Sequence, residues 1–306
     1  MLLSKAIEGF LLELRASDFS QNTIDVYSWA LQLLINFVGD KELASVGESD
    51  VRAFWVYLKD EYKPKRPGGN QAPLSPASRQ NVWVALKSFY NFASENFDIE
   101  RADKNIKKPR FSPPVVQPYS NEQINALLKA AAGKSFHAAR NTAILLVMLD
   151  TGVRASELCR IKVEDVSLEN GHILVKPFGS GRKTKGRDVY IGKLARKAVW
   201  RWLSLKEASP TDYLFTTKDG RPYNRLMLRG LFVRLGKKAG VPGAGPHRAR
   251  HSFAVSFLRN GGHVFALQRL LGHSDLQMSQ RYLALAEADL ATAHAAASPV
   301  DRLANF

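Results

Sequence analysis

Residues 246–251 of this chain read Pro-His-Arg-Ala-Arg-His, and Leu-Gly-His at 271–273 and a tyrosine at 282 follow them. Proline is favoured in the first turn of a helix. His247 and Arg250 are three positions apart, so a helix that begins here puts both on one face. Between His273 and Tyr282 there is room for a short turn at Ser274-Asp275 and a helix. The pattern predicts that basic groups and a tyrosine meet at one place in the fold.

This combination suits nucleophilic attack on a phosphodiester. A tyrosine hydroxyl has an ordinary pKa of roughly 10, so it needs a base and a positive field to ionise at neutral pH. The attack builds negative charge on the non-bridging phosphate oxygens, and the planar guanidinium of Arg250 matches that charge. Tyr282 is therefore the candidate nucleophile.

A further arginine lies upstream, in the stretch Leu-Asp-Thr-Gly-Val-Arg-Ala-Ser-Glu-Leu at residues 149–158. Arg154 follows a glycine turn, and Glu157 comes three residues later. Two interpretations are open at this point. Glu157 orients a guanidinium from behind, or the two residues form an exposed ion pair between two helices.

These motifs together resemble the catalytic pattern of the tyrosine recombinase (phage-integrase) family, in the same order and with the same spacing. The resemblance implies that Tyr282 forms a 3′-phosphotyrosyl link to DNA, and that Arg154 and Arg250 stabilise the phosphate in the transition state. It assigns hydrogen bonding or proton transfer to His247 and His273. It favours a simple recombinase of the Xer, integron or transposon type. The alternatives are a related type IB topoisomerase-like activity and a DNA-binding regulator with this fold.

The resemblance also implies a general-acid lysine in a β-hairpin. A turn signal at Glu169-Asn170-Gly171 and strands at His172–Val175 and Asp188–Ile191 predict a small sheet within residues 163–191. Many relatives carry Gly-Lys-Gly where this chain has Gly179-Ser180-Gly181, so the lysine must come from later in the turn. Lys183 is preferred to Lys185. The bland interpretation of this basic turn is a solvated loop.

The charge balance favours a polyanionic partner. The chain has 44 Lys and Arg against 28 Asp and Glu, a net charge of +16 and a pI near 9.9. Such a surplus predicts salt-dependent binding to a polyanion, and the resemblance implies that this partner is double-stranded DNA at recombination sites. Its dispersion argues against a membrane surface. Arg221, Arg225, Arg229 and Arg234 alternate with leucines, which predicts an amphipathic helix whose basic face lies along DNA.

The domain organisation follows from a proline-rich stretch, Lys107–Tyr119, which cannot continue a helix. We predict a helical domain of about four helices at 1–106, a basic linker at 107–119 and a second domain at 120–306. The fold class is then mainly α with a small antiparallel β-sheet. The resemblance implies that the first is a core-binding domain, the second a catalytic domain, and that the two form a DNA clamp. The loop between Lys63 and Pro76 contacts phosphates or is simply mobile.

The remaining features limit other classes of function. The single cysteine, Cys159, excludes an intramolecular disulfide framework and is interpreted as a core residue of a cytoplasmic protein. No residue spacing suggests a zinc site or another metal, and no cofactor is expected. His251 is interpreted as a packing residue, and His172, His263 and His294 as structural or surface residues. By the resemblance, the alanine-rich tail at 286–297 links protomers into a dimer on each site and a tetramer in the synapse.

Overall fold

The computed structural model describes residues 1–65, 72–110, 116–177, 186–206 and 212–272, together with Tyr282, Ser298 and Val300. The chain divides into two compact units, Met1–Pro114 and Val115–Phe306. Regular structure in the described residues is mostly helical, with one three-stranded antiparallel sheet. The predicted fold class is therefore confirmed. The division lies inside the predicted linker, and the exact domain limits stay a prediction.

The first unit is a helical bundle. Its helices are α1 (Leu3–Ala16), α2 (Gln21–Val38), α3 (Glu48–Asp60) and α4 (Pro76–Phe97). Ser20 and Ser75 cap α2 and α4, since each hydroxyl accepts a hydrogen bond from the backbone N–H three residues later. The first unit has its own hydrophobic core, in which Phe10 packs against the rings of Tyr27 and Phe89. The loop call between Lys63 and Pro76 falls largely on residues 66–71, outside the described residues.

The second unit surrounds the sheet with helices. Its helices are α5 (Asn121–Ala131), α6 (Phe136–Thr151), α7 (Ala155–Leu158), α8 (Lys193–Leu205), α9 (Arg225–Ala239), α10 (Pro246–Arg259) and α11 (Val264–Leu271). Ser120 and Gln123 form a capping box at the start of α5. Trp202 of α8 is fully buried, and its indole N–H donates to the carbonyl of Leu214 at 2.7 Å. Among the described parts of the chain, no helix is long and apolar enough to cross a bilayer.

The sheet has the order β1 (Val166–Ser167), β2 (His172–Val175) and β3 (Arg187–Tyr190). Ile173 pairs with Val189 in the register of β2 and β3, and both side chains face the core. The predicted second strand, 188–191, begins one residue earlier in the structure. That shift includes Arg187 in the strand, where it pairs with Val175.

Two helix ends converge on α10 in this unit. The carboxyl end of α6 and helix α11 both pack against α10, where Phe253, Leu267 and Leu271 form one buried cluster. Gly152 ends α6 with a positive φ of 61°, and a Cβ there would lie 2.3 Å from the ring of Phe253. Glycine is needed at this point for both reasons. The turn that follows presents Arg154 beside α10.

Candidate active site

Arg154 is held by the first turn of α7. Its backbone N–H donates to Oε2 of Glu157 at 2.7 Å, and its Nη1 donates to Oε1 of the same carboxylate at 2.9 Å. Glu157 is only 4% exposed. The interpretation as an exposed ion pair is therefore wrong, because the carboxylate lies inside the fold behind the guanidinium.

A second guanidinium shares this carboxylate. Nη1 and Nη2 of Arg187 donate to Oε1 and Oε2 of Glu157 at 2.9 and 2.8 Å. Burial would by itself raise the pKa of Glu157, but the hydrogen bonds and charge of Arg187, followed by those of Arg154, lower it to about 2. Glu157 is thus a permanent anion between two cations. Sequence analysis did not single out Arg187 for this role, because it lies at the end of a basic turn.

Arg250 is almost wholly buried, at 6% exposure. Its Nη1 donates to the carbonyl of Gly152 at 2.6 Å, and its Nη2 donates to that of Leu271 at 2.8 Å. Burial, together with the nearby charge of Arg154, lowers the pKa of Arg250 to about 10, so it stays charged at neutral pH. Two fixed hydrogen bonds leave its guanidinium little freedom to turn.

The carboxyl end of α11 receives three arginines. Leu270 accepts from Nε of Arg187 at 2.6 Å, Leu271 accepts from Arg250, and the carbonyl of Gly272 lies 3.4 Å from Nη2 of Arg154. The last carbonyls of a helix have no partner within the helix and carry its negative dipole end. They therefore suit cations that must be held side by side despite their like charge.

His247 lies one turn before Arg250 on α10 and is exposed. Arg154, His247 and Arg250 all line one cleft of about 1290 Å³, as their predicted common role requires. Arg248, between the two motif residues, points elsewhere. Its guanidinium lies 4.4 Å from the ring of Tyr119 and donates to the carbonyl of Gln117. The helical period thus separates the cleft residues from a structural arginine.

The cleft extends along α9. Arg225 and Arg229 line it together with Arg160, and the described lining residues include no carboxylate. Leu226, between the two arginines of α9, is 79% exposed. The cleft therefore offers a row of cations and some apolar surface to an elongated anion. Among the described residues, no three His, Cys, Asp or Glu side chains are close enough to share a metal ion.

Tyr282 is half-buried against the cluster that contains Phe253 and Leu271. Its ring centroid lies 5.1 Å from that of His251, so the predicted packing residue packs on the predicted nucleophile. The hydroxyl is close enough to Arg250 for the two groups to interact electrostatically. Burial lowers the pKa of His251, which keeps its ring neutral.

Several other predicted residues can be placed only in part. Lys183, Lys185, His273, His294 and the tail at 286–297 lie outside the described residues. His172 is hydrogen-bonded to Asp188 on the sheet, with 2.6 Å between Nε2 and Oδ1, and His263 caps α11. Cys159 is partly buried, packs against the core of this unit and also lines the cleft, and burial raises the pKa of its thiol to about 11.

The chain matches two models of known families. The phage integrase family matches residues 119–289, and the phage integrase N-terminal SAM-like domain matches residues 7–97. Similar proteins include the tyrosine recombinase XerC of Escherichia coli O139:H28, which is 30% identical over 277 residues and 89% of each chain. The tyrosine recombinase XerA of Thermococcus kodakarensis is 28% identical over 303 residues and 98% of each chain.

A solved structure of the Tn1549 transposon integrase in complex with a circular intermediate DNA has a similar fold. The TM-score is 0.76 at 21% identity, over 96% of this chain and 99% of that one. One family model matches the first unit and the other matches the second. The chain therefore belongs to the phage integrase family and is a tyrosine recombinase.

Proposed function

We propose that this recombinase cleaves and rejoins DNA strands at specific sites, with Tyr282 as the nucleophile. The observation that carries the proposal is the placement of Arg154 and Arg250 on one cleft, with Tyr282 packed on His251, the residue after Arg250. The tyrosine oxygen attacks the phosphorus, the bond from phosphorus to the 5′-oxygen breaks, and a 3′-phosphotyrosyl link remains. A 5′-hydroxyl then attacks the same phosphorus and releases the tyrosine, so no ATP is needed.

The two arginines stabilise the phosphate as its charge grows. Both guanidiniums are fixed by hydrogen bonds before any DNA arrives, so little reorganisation is needed in the transition state. His247 is exposed on the same cleft and is available for hydrogen bonding to the phosphate. His273 is assigned the same kind of contact, and Lys183 protonation of the leaving 5′-oxygen, by the family pattern.

The partner is double-stranded DNA at a recombination site. The net charge of +16 and the cationic cleft beside α9 support this, because each phosphate contact releases a counterion. The solved Tn1549 integrase that resembles this chain is itself bound to DNA. We propose that both units contact the duplex and that the protein acts in the cytoplasm.

The active assembly is a dimer on each site and a tetramer on two sites. Full exchange between two duplexes breaks four strands, and one tyrosine serves each strand. Four active sites are therefore needed in one complex. The alanine-rich tail at 286–297 is the segment assigned to the contacts between protomers.

The test is covalent capture of DNA. Complexes are denatured with detergent, the DNA that stays on the protein is sequenced, and a nicked duplex is built from that site so that the cut strand cannot be resealed. We expect wild-type protein to accumulate an adduct and Tyr282→Phe to bind equally well without one, because only the hydroxyl is lost. Tyr190→Phe is the matched control, since Tyr190 lies on the sheet and is 59% exposed.

The proposal is overturned if Tyr282→Phe forms the adduct at the normal yield. If the chain is a DNA-binding regulator, neither wild type nor Tyr282→Phe forms a covalent adduct with DNA. A topoisomerase-like enzyme forms the adduct and relaxes supercoils, but does not exchange strands between two sites on one plasmid. Recombinant products from such a plasmid therefore complete the test.

A further inference from the structure

Arg187 joins two parts of the active site that are far apart in the chain. Its side chain is 8% exposed and makes three hydrogen bonds, two to the carboxylate of Glu157 and one to the carbonyl of Leu270. Glu157 belongs to the motif that contains Arg154, and Leu270 precedes the Gly-His motif. Arg187 itself is absent from the described residues that line the cleft. It therefore acts through its neighbours and not on DNA directly.

The contact with Arg154 passes through a single carboxylate. Oε1 of Glu157 accepts from Nη1 of Arg154 and from Nη1 of Arg187, each at 2.9 Å. The other bonds to this carboxylate come from Arg154 itself, whose backbone N–H donates to Oε2 and whose Nη1 donates to Oε1. The two parallel bonds from Arg187 tie the carboxylate to a strand distant in the chain and fix its plane, since a guanidinium and a carboxylate meet in one plane. The orientation of the Arg154 guanidinium therefore depends on Arg187 as well as on its own turn.

The second contact fixes the end of α11. Gly272 has a φ of 64°, and a Cβ at this position would lie 3.0 Å from Nη1 of Arg187. The turn that closes α11 is thus packed directly on the Arg187 side chain. Leu271, in that same turn, supplies the carbonyl that orients Arg250. One buried side chain accordingly supports both phosphate-binding arginines.

We propose that Arg187 is a positioning residue for the cleavage step, which sets the orientation of Arg154 through Glu157. The inference rests on the proposed function, because it assumes that Arg154 stabilises the charge on the scissile phosphate. Lysine is a poor replacement. It carries one ammonium group, and cannot present the planar pair of donors to Glu157 while a third donor holds Leu270.

The test compares two substrates that differ in one charge. One is the nicked duplex with a normal scissile phosphate, and the other has a methylphosphonate there, which lacks the negative non-bridging oxygen. The rate of adduct formation is measured at saturating protein, and DNA affinity is measured separately. The variants are Arg187→Gln and Arg187→Lys, with Arg154→Ala as the reference.

Arg196→Gln is the matched control. Arg196 also donates to backbone carbonyls, those of Leu168 and Glu169, but touches none of the site residues. It therefore reports what the loss of a half-buried arginine costs in general. Circular dichroism and thermal melting show which variants are folded, and Arg187→Lys carries the test if Arg187→Gln is not.

We expect Arg187→Gln to slow adduct formation by about tenfold on normal DNA, as for the loss of a group coupled to its neighbour, and Arg187→Lys to slow it less. Affinity changes little. On methylphosphonate DNA the losses of Arg187→Gln and Arg154→Ala both shrink, because less charge needs stabilising. A loss for Arg187→Gln that is equal on both substrates, or no loss at all, overturns the proposal. Failure of the proposed function is distinct, since wild type then forms no adduct with Tyr282.

Discussion

The buried charge of Glu157 leads to a quantitative prediction for the stability of the second unit. Its pKa falls from an ordinary 4.5 to about 2 in the folded protein. At 1.36 kcal/mol per unit of pKa, the folded environment favours the charged form by about 3 kcal/mol. The side chain is 3% exposed, so solvent does not screen this contribution.

The sign of the pH dependence follows from the direction of the shift. A carboxylate with a lowered pKa binds fewer protons in the folded state than in the unfolded state. Its contribution is therefore fully present above a pH of about 4.5 and is lost as the pH falls toward about 2. The stability of the folded state therefore begins to fall at a pH where the folded carboxylate is still charged, because the unfolded state already binds the proton there.

Glu157→Gln keeps the shape of the side chain and removes the charge. We expect the free energy of unfolding at neutral pH to fall by about 3 kcal/mol. The difference in free energy of unfolding between Glu157→Gln and wild type should narrow by about 1 kcal/mol near pH 3.5, because the wild type has lost part of the stabilisation from the Glu157 charge at that pH. The assay is urea unfolding, monitored by hydrogen exchange in peptides from α6 and α10. These peptides report on the second unit separately from the first.

The matched control is Glu164→Gln. Glu164 pairs with Lys176 at 2.8 Å, but its side chain is 60% exposed, so its replacement should hardly change stability. The reasoning is refuted if Glu157→Gln is as stable as wild type at neutral pH. A difference that stays constant down to pH 3.5 refutes it equally, because the effect is then unrelated to the ionisation of this carboxylate.

Three further predictions concern the reaction. Arg154→Ala and Arg250→Ala should each slow cleavage by at least ~10²-fold. Both should melt below wild type, but Arg250→Ala should melt lower, because it removes the donor to two backbone carbonyls while Glu157 keeps its two bonds from Arg187 when Arg154 is replaced. Single-turnover rates and melting curves measure the two effects, and equal melting temperatures contradict the predicted difference. Lys183→Ala should cleave normal DNA slowly and a 5′-bridging phosphorothiolate at nearly the wild-type rate, because sulfur leaves without a proton. If the phosphorothiolate instead restores cleavage by Lys185→Ala, the general acid is Lys185. DNA affinity should fall steeply with salt, and a flat dependence between 50 and 200 mM contradicts the cationic cleft.

The helical spacing of the sequence predicted part of the candidate site. It placed His247 and Arg250 on one face, and in the structure both line the cleft while Arg248, between them, stacks on Tyr119. The strand pattern located β2 and β3 to within one residue, but it did not assign β1. These features depend on neighbours three or four positions away, so a local pattern is enough to reveal them.

The burial of Glu157 and the role of Arg187 could not be read in this way. The pair Arg154 and Glu157 has the spacing of an ordinary exposed ion pair, and Arg187 looks like one more cation of a basic turn. The contacts that decide their roles join residues 30 and 83 positions apart. No local pattern records such distances, because they depend on how the helices and the sheet pack.

The sequence by itself determined the residue types of the site, the mainly helical fold with a small sheet, and the family pattern that joins them. Only the tertiary structure decided which cations are held rigid, and by what. Arg154, Arg187 and Arg250 stay together because the carboxyl end of α11 and one buried carboxylate lie between them. Like charges repel, so such a cluster is stable only where backbone carbonyls and a carboxylate from distant parts of the chain converge on it.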